Sequence, residues 1–176
     1  APAVEVDGKK ARVNVMRKQM NQAIAETLYG ALGVLAGSQG TMNNFVYGNE
    51  RVQNYETICG GTGAGPDFEG ASAVHSHMTN TLNTPIESLE EHYPLRVRRY
   101  ALRRGSGGEG AHRGGDGIER ELEFLAPASF TLLTERRRHR PWGLEGGGPG
   151  AAGENRLNGE ALPPKFTGHA RPGDRL

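Results

Sequence analysis

The chain has 176 residues, of which 35% are hydrophobic, 6% are aromatic and 27 are glycines, about twice the usual glycine share of roughly 7%. A formal net charge of +1 argues against nucleic acid or a membrane surface as the main partner, and no apolar run approaches the ~20 residues of a membrane span. The single cysteine excludes an internal disulfide, and with no apolar signal-peptide core this predicts a cytoplasmic location. The low apolar share predicts a chain that completes its core against other protein.

The first predicted element is one long helix, because apolar residues recur at spacings of three and four from Val13 to Leu35. We expect this face of the helix to pack into a core. Gly37 follows the last periodic residue and is predicted to be the C′ glycine that ends the helix. Gly30 and Gly33 then fall inside the helix, where small residues let another element approach closely. The periodic residues are Val13, Met16, Met20, Ala23, Ile24, Thr27, Leu28, Ala31, Leu32 and Leu35.

Five later segments are rich in strand-forming residues and are separated by turn signals. They are residues 41–47, 52–58, 95–102, 118–125 and 128–134. In the third of them, alternation predicts Leu95, Val97 and Arg99 on one face of the strand. A short helix is predicted over residues 86–91, opened by Pro85 with Thr84 as its cap.

Glycine-rich loops separate these strands, mainly at residues 60–65 and 105–117, and a glycine- and proline-rich tail follows from residue 143 to 176. The tail is predicted either to wrap over a surface or to act as a linker. Together the elements predict a single α+β domain over residues 1–176, with one long N-terminal helix followed by mostly antiparallel strands.

The glycines after the second strand, between Gly60 and Gly65, could direct backbone N–H groups at an anion. They do not form a P-loop, because no Gly-Lys-Ser/Thr follows, and Pro66 stands where a dinucleotide fingerprint needs glycine. A purely structural turn is the favoured interpretation. Glu56, just ahead of this turn, could be a base or a ligand, although an ordinary solvated or paired glutamate is more common.

His75 and His77 are two residues apart, so on an extended strand both imidazoles would point the same way. Such a pair could hold a divalent metal or a substrate carboxylate, with a third ligand from Glu56, Asp67, Glu69 or another chain. A polar substrate or interface role and plain structural hydrogen bonding stay open. The surrounding Ser, Thr and Asn residues are suited to holding a loop in a defined shape.

Cys59 could be a nucleophile beside glycine N–H groups, but a lone cysteine in a strand is more often a small buried hydrophobe. Several arginines could bind phosphate, but they are interspersed with glutamates, which favours solvated ion pairs across strands. These arginines are residues 96, 98, 99, 103, 104 and 136–138.

The order of several short segments resembles the hydantoinase B/oxoprolinase family over about residues 37–150. The segments are Gly37-Ser38-Gln39-Gly40-Thr41-Met42-Asn43-Asn44, Tyr55-Glu56-Thr57-Ile58, Val74-His75-Ser76-His77-Met78-Thr79-Asn80-Thr81, Asn83-Thr84-Pro85-Ile86-Glu87, Leu89-Glu90, Tyr93-Pro94-Leu95, Ser106-Gly107-Gly108-Glu109-Gly110, Arg113-Gly114-Gly115-Asp116-Gly117 and Pro141-Trp142-Gly143-Leu144. Each segment alone is a weak signal, and their combination in this order is specific.

The resemblance implies the C-terminal part of a longer subunit in an ATP-dependent enzyme that opens a lactam or hydantoin ring. It also implies partners: a hydantoinase A-like subunit or domain that binds ATP, the missing N-terminal part of the same subunit, and a small cyclic amide as substrate. A divalent metal takes part in related carboxylases, with main ligands expected outside this chain. The alternatives are part of an ATP-dependent ketone carboxylase of the acetone carboxylase type, or an assembly module without chemistry of its own.

On this basis three residues are predicted to be catalytic: Glu56, His75 and His77. The two histidines are also the predicted metal ligands. Substrate binding is assigned to Asn80, Asn83, Gly61 and Gly63.

Overall fold

The computed structural model describes residues 8–79 and 81–176. A long helix comes first and antiparallel strands follow, which confirms the predicted α+β class. The elements in chain order are α1 (Gly8–Ala31), β1 (Asn44–Gly48), β2 (Gln53–Thr57), a 3₁₀ turn (His77–Thr79), α2 (Ile86–His92), β3 (Leu95–Arg103), β4 (Gly117–Phe124), β5 (Ala128–Leu133), β6 (Arg156–Leu157), β7 (Glu160–Ala161) and β8 (Lys165–Ala170). Within the described ranges, no helix is both long and apolar enough to cross a membrane.

The main sheet has four antiparallel strands in the order β2-β1-β5-β8. Successive side chains of β1 point to opposite faces, so Phe45 and Tyr47 enter the core while Asn44 lies on the other face. The edge strand β8 comes from the glycine- and proline-rich tail, and its Phe166 pairs with Leu132 of β5. The tail is therefore part of the sheet and does not act as a linker.

Strands β3 and β4 form a second antiparallel pair that supplies the rest of the core. The predicted alternation of β3 fails beyond Val97, because the register shifts between Val97 and Arg99. A bulge of this kind turns the following residues to the opposite face, so Tyr100 and not Arg99 pairs with Arg120. The main core cluster comprises Phe45, Tyr47, Leu89, Leu95, Leu122, Phe124, Ala128, Phe130, Leu132 and Ala170.

Helix α1 ends earlier than predicted, at a Schellman motif centred on Gly33. The N–H of Gly33 donates to the carbonyl of Gly30 at 3.1 Å, and the N–H of Val34 donates to that of Tyr29 at 3.0 Å. Gly33 has a φ of +66°, so it is the C′ glycine that was assigned to Gly37. Gly37 serves packing instead: a Cβ there would lie 2.8 Å from the backbone nitrogen of Trp142.

The orientation of α1 is the reverse of the prediction in its described part. Gln22 and Glu26 are buried, at 0% and 4% exposure, whereas Met20, Ile24 and Leu28 are more than half exposed. From Met20 onward, the apolar face of the helix therefore does not enter the core of this chain.

Helix α2 begins at Ile86 as expected, but the cap differs. Pro85 is the N-cap residue and no side chain caps the helix, so the expected cap by Thr84 is wrong. Leu89 anchors the helix to the core with no exposed surface.

Candidate active site

A cleft of about 1130 Å³ lies where three glycine-rich segments meet, around residues 60–66, 106–115 and 141–153. Gly61 and Gly63, which were predicted to bind substrate, both line this cleft. A Cβ on Gly61 would lie 1.9 Å from the carbonyl oxygen of Gly115, and one on Gly63 would lie 1.9 Å from that of Ala36. Close approach of neighbouring backbones thus requires glycine at both positions, and their role toward substrate stays a prediction.

Asp116 fixes the loop that forms one side of the cleft. Its buried carboxylate accepts hydrogen bonds from the N–H groups of Gly107 at 2.8 Å and Gly105 at 3.2 Å, and from Arg113 Nη2 at 3.0 Å. Burial by itself would raise the pKa of this carboxyl, but the donors outweigh burial and hold the pKa below its usual value. The ionised carboxylate is therefore the form that orders the loop.

Glu56, at the end of β2, forms a buried ion pair with Arg120 of β4, with Oε2 and Nη2 2.7 Å apart. The side chains are 3% and 8% exposed. The contact lacks the angles of a hydrogen bond, and neither Glu56 Oε1 nor Arg120 Nη1 has a hydrogen-bond partner among the described residues. Arg120 lines the cleft whereas Glu56 does not, so Glu56 faces the cleft only through Arg120.

Aromatic and thiol groups surround this pair. The guanidinium carbon of Arg120 lies 5.6 Å from the ring centroid of Tyr100, and burial raises the pKa of the Tyr100 hydroxyl. Cys59 is 8% exposed, and burial raises the pKa of its thiol. A protonated, buried thiol is a poor nucleophile, which agrees with the interpretation of Cys59 as a small buried hydrophobe.

A second buried ion pair, between Glu26 of α1 and Arg136, was not predicted from the sequence. Glu26 Oε1 accepts from the backbone N–H and the hydroxyl of Ser38 and, at 3.3 Å, from the N–H of Gly40, while Oε2 accepts from Arg136. Arg136 also covers the Trp142 ring at 4.4 Å from its centroid. The Glu26–Arg136 pair therefore fixes α1 to residues 38–40, in the first of the segments that resemble the family.

His75 and His77 do not lie on a common strand face, so the geometry assumed for them is wrong. His75 follows Val74, which bridges Gly60, while His77 starts the 3₁₀ turn with a φ of +53°. The His77 ring packs at 5.3 Å from the Tyr29 ring of α1. Neither histidine lines the cleft, although Gly60, which pairs with Val74, does.

His75 has a distinct environment of its own. Its two ring nitrogens are buried without a hydrogen-bond partner in the described part of the chain, and burial lowers its pKa, partly offset by the neighbouring Asn83 side chain. Asn83 Nδ2 donates to the carbonyl of Thr57 at 3.1 Å, so it links this loop to the end of β2. Asn80, the other predicted substrate-binding amide, lies outside the described residues.

The described residues do not by themselves provide a complete set of metal ligands. Across residues 8–79 and 81–176, no three His, Cys, Asp or Glu side chains are grouped so that they could hold a metal ion. The metal role predicted for His75 and His77 therefore stays a prediction that needs further ligands from outside the described residues.

The arginines divide into two groups that the sequence could not separate. Arg98 and Arg99 of β3 form the expected ion pairs across the hairpin, with Glu123 and Glu119. Arg136 is instead buried, because it neutralises Glu26.

Arg137 is likewise largely buried, and this burial lowers its pKa to about 10. Its Nη1 donates to Asn43 Oδ1 at 3.1 Å. The sequence predicts that Arg136 and Arg137 are solvated. In the fold, Arg136 contacts Glu26 and Arg137 contacts Asn43.

The family model of hydantoinase B/oxoprolinase matches residues 8–176, so this chain belongs to that family. It is 49% identical to the 5-oxoprolinase of Dictyostelium discoideum over 127 residues, which are 72% of this chain and 10% of that protein. It is 47% identical to 5-oxoprolinase 1 of Arabidopsis thaliana over 137 residues, 78% of this chain and 11% of that protein. The chain thus spans about a tenth of the length of these relatives.

The fold is also similar to the crystal structure of an ATP-dependent caprolactamase from Pseudomonas jessenii. The TM-score is 0.66 with 25% sequence identity, over 84% of this chain and 29% of the caprolactamase chain.

Proposed function

We propose that this chain is part of an ATP-dependent hydrolase that opens a cyclic amide, and that it supplies one wall of the active site. The observation that carries the proposal is its identity of 49% to a 5-oxoprolinase, supported by its fold likeness to a caprolactamase. Both names denote enzymes acting on lactams. ATP is expected on a hydantoinase A-like subunit or domain, as the family resemblance implies, and the glycines of residues 60–65 lack the lysine of a P-loop.

The glycine-lined cleft is the proposed location for the substrate ring. The Arg120 guanidinium on its wall suits a substrate oxygen that gains negative charge when an amide is attacked. Glu56 would hold Arg120 in place through their 2.7 Å contact and so act as a positioning residue. Asn83, and the predicted Asn80, would brace the neighbouring loop.

His75 is the proposed proton acceptor, because burial lowers the pKa of its imidazole and neither ring nitrogen makes a geometrically defined hydrogen bond within the described residues. It lies outside the cleft, and the Gly60–Val74 bridge joins its segment to the cleft wall. Because His75 does not line the cleft, direct proton transfer to it from a substrate in the cleft would require this segment to move. His77 is proposed to orient this loop through its contact with Tyr29.

The test is a graft in which the region of the Dictyostelium 5-oxoprolinase that corresponds to this chain is replaced by this chain. ADP release and ring-opened product are measured with 5-oxoproline, hydantoin, and acetone with bicarbonate. We expect ADP release that depends on a cyclic amide. ADP release only with acetone and bicarbonate would support a ketone carboxylase instead. A folded graft inactive on all substrates would contradict a catalytic contribution and favour an assembly module.

The histidine roles are tested in the same graft. His75→Ala should lower kcat by about 100-fold, the range expected on loss of a general base. His92→Ala is the matched control, because this exposed histidine ends α2 and only contacts the carbonyl of Ser88. A second variant combines His75→Ala with His77→Ala. If its turnover and metal content are unchanged, the roles assigned to the two histidines are wrong.

A further inference from the structure

Helix α1 carries an apolar stripe that the described part of the chain leaves uncovered. The stripe consists of Met20, Ile24, Leu28 and Leu32, which are 59%, 51%, 56% and 72% exposed. Residues four apart lie on the same side of a helix, so the side chains form one row about 18 Å long at 1.5 Å per residue.

The opposite side of α1 fixes the helix to the chain by polar contacts. Gln22 Nε2 donates to the hydroxyl of Ser76 at 3.0 Å, and Glu26 accepts from Ser38, Gly40 and Arg136. A helix that covers the core of its own chain shows the reverse arrangement, with its apolar side turned inward. Because exposing apolar side chains is unfavourable, an uncovered row of this kind marks a contact with other polypeptide.

The length of the relatives indicates which polypeptide covers the stripe. This chain spans 29% of the caprolactamase chain and 10% of the Dictyostelium protein, so most of each relative lies outside the matched region. A stable dimer between separate molecules buries ~800 Å² on each partner, far more than four half-exposed side chains offer. A small apolar contact suffices when the two surfaces are covalently connected, because little association entropy is lost.

We propose that Met20, Ile24, Leu28 and Leu32 dock into an apolar surface of the remaining polypeptide of a hydantoinase B/oxoprolinase subunit. The inference rests on family membership and on the exposure of the stripe. It does not depend on the proposed reaction.

Site-specific thiol labelling tests this contact without using activity. Ile24→Cys places a thiol within the stripe, and Leu125→Cys places one at a leucine of similar exposure, 43%, after β4. Both are made with Cys59→Ala, so that this chain carries a single thiol, and labelling is followed by mass spectrometry on the peptide that contains it. Maleimide labelling rates are measured at pH 7 in this chain alone and in the Dictyostelium graft.

We expect the thiol at position 24 to react at least tenfold more slowly in the graft than in the chain alone, and the thiol at position 125 to react at similar rates in both. Equal rates at position 24 would overturn the proposal, and so would equal slowing at both positions. Protection at position 24 in the chain alone, with a dimer mass in sedimentation, would also overturn it in favour of a second copy. A graft that is inactive but protected at position 24 would contradict only the proposed function.

Discussion

Two buried ion pairs of the same chemistry are satisfied to very different degrees. Glu26 and Arg136 join α1 to the loops, and Glu56 and Arg120 join β2 to β4. Both glutamate side chains are almost inaccessible, at 4% and 3% exposure. Glu26 accepts hydrogen bonds at both oxygens, whereas Glu56 Oε1 and Arg120 Nη1 have no hydrogen-bond partner in the described residues.

This difference in hydrogen bonding identifies Glu26–Arg136 as a structural clamp and Glu56–Arg120 as a candidate functional pair. A fully hydrogen-bonded buried charge holds its surroundings in one arrangement, while an unsatisfied buried polar atom costs about 1–3 kcal/mol. Groups that cost stability are concentrated at functional sites. Arg120 and Arg136 both line the cleft, so the two pairs differ in how completely they are hydrogen-bonded and not in their position relative to the cleft.

The largest stability effect is expected from replacing the clamp. The double variant Glu26→Met with Arg136→Met leaves the N–H groups of Ser38 and Gly40 without their acceptor. We predict a loss on the order of 4 kcal/mol in the free energy of unfolding, from two or three orphaned donors. Urea unfolding followed by circular dichroism measures it, and a loss below about 1 kcal/mol would contradict the clamp.

A smaller effect, dependent on pH, is expected at Asp116. Its lowered pKa means that the stabilisation is complete above the ordinary carboxyl pKa of about 4 and is lost as pH falls through the lower native pKa. Asp116→Asn should therefore cost about 2 kcal/mol at pH 7 and progressively less below pH 4. Exposed Asp67→Asn is the control, with no expected difference at either pH. A cost for Asp116→Asn that does not change with pH would refute the carboxylate role.

The matched replacement of the second pair should change stability little. Glu56→Met with Arg120→Met removes three buried polar atoms that have no hydrogen-bond partner among the described residues, and it orphans no backbone donor named there. We predict a change within about 1 kcal/mol in either direction, since apolar residues often replace a buried ion pair without loss. A loss as large as that at Glu26 and Arg136 would show that the two pairs are equivalent clamps.

The smallest effect is expected for an exposed ion pair. Arg99 and Glu119 are 57% and 42% exposed, so Arg99→Ala should cost no more than about 0.5 kcal/mol in thermal or urea unfolding. A cost above about 1 kcal/mol would indicate a role that the β3–β4 pairing does not explain.

Much of the fold could be predicted because hydrophobic periodicity reports local structure directly. The alternating sequence of β4 places Leu122 and Phe124 in the core. The bulge in β3 was not predicted, although the alternation of apolar and charged residues breaks at the adjacent Arg98 and Arg99, where the register with β4 shifts.

The orientation of α1 could not be predicted for a related reason. Periodicity identifies the apolar face of a helix but does not show whether that face meets this chain or other polypeptide, and Gln22 and Glu26 read as a solvated face.

The candidate site was predicted in part. The Tyr55–Gly65 segment and its Glu56 do lie beside the cleft, because a glycine run after a strand brings backbones close together. Arg120 was missed, since it occupies an ordinary alternating position of β4 and only tertiary pairing brings it to Glu56. The prediction that His75 and His77 point the same way was wrong, because the left-handed backbone at His77 ends the extended segment.

The central claim is that Glu56 and Arg120 serve the opening of a cyclic amide, and kcat of the Dictyostelium graft with 5-oxoproline tests it most directly. The graft that carries both Glu56→Met and Arg120→Met is compared with the unmodified graft, with thermal unfolding measured alongside. We predict a fall in kcat of about 100-fold, as for loss of an electrostatic contact in an active site, with the melting temperature nearly unchanged. A kcat within about twofold of the unmodified graft would contradict the account.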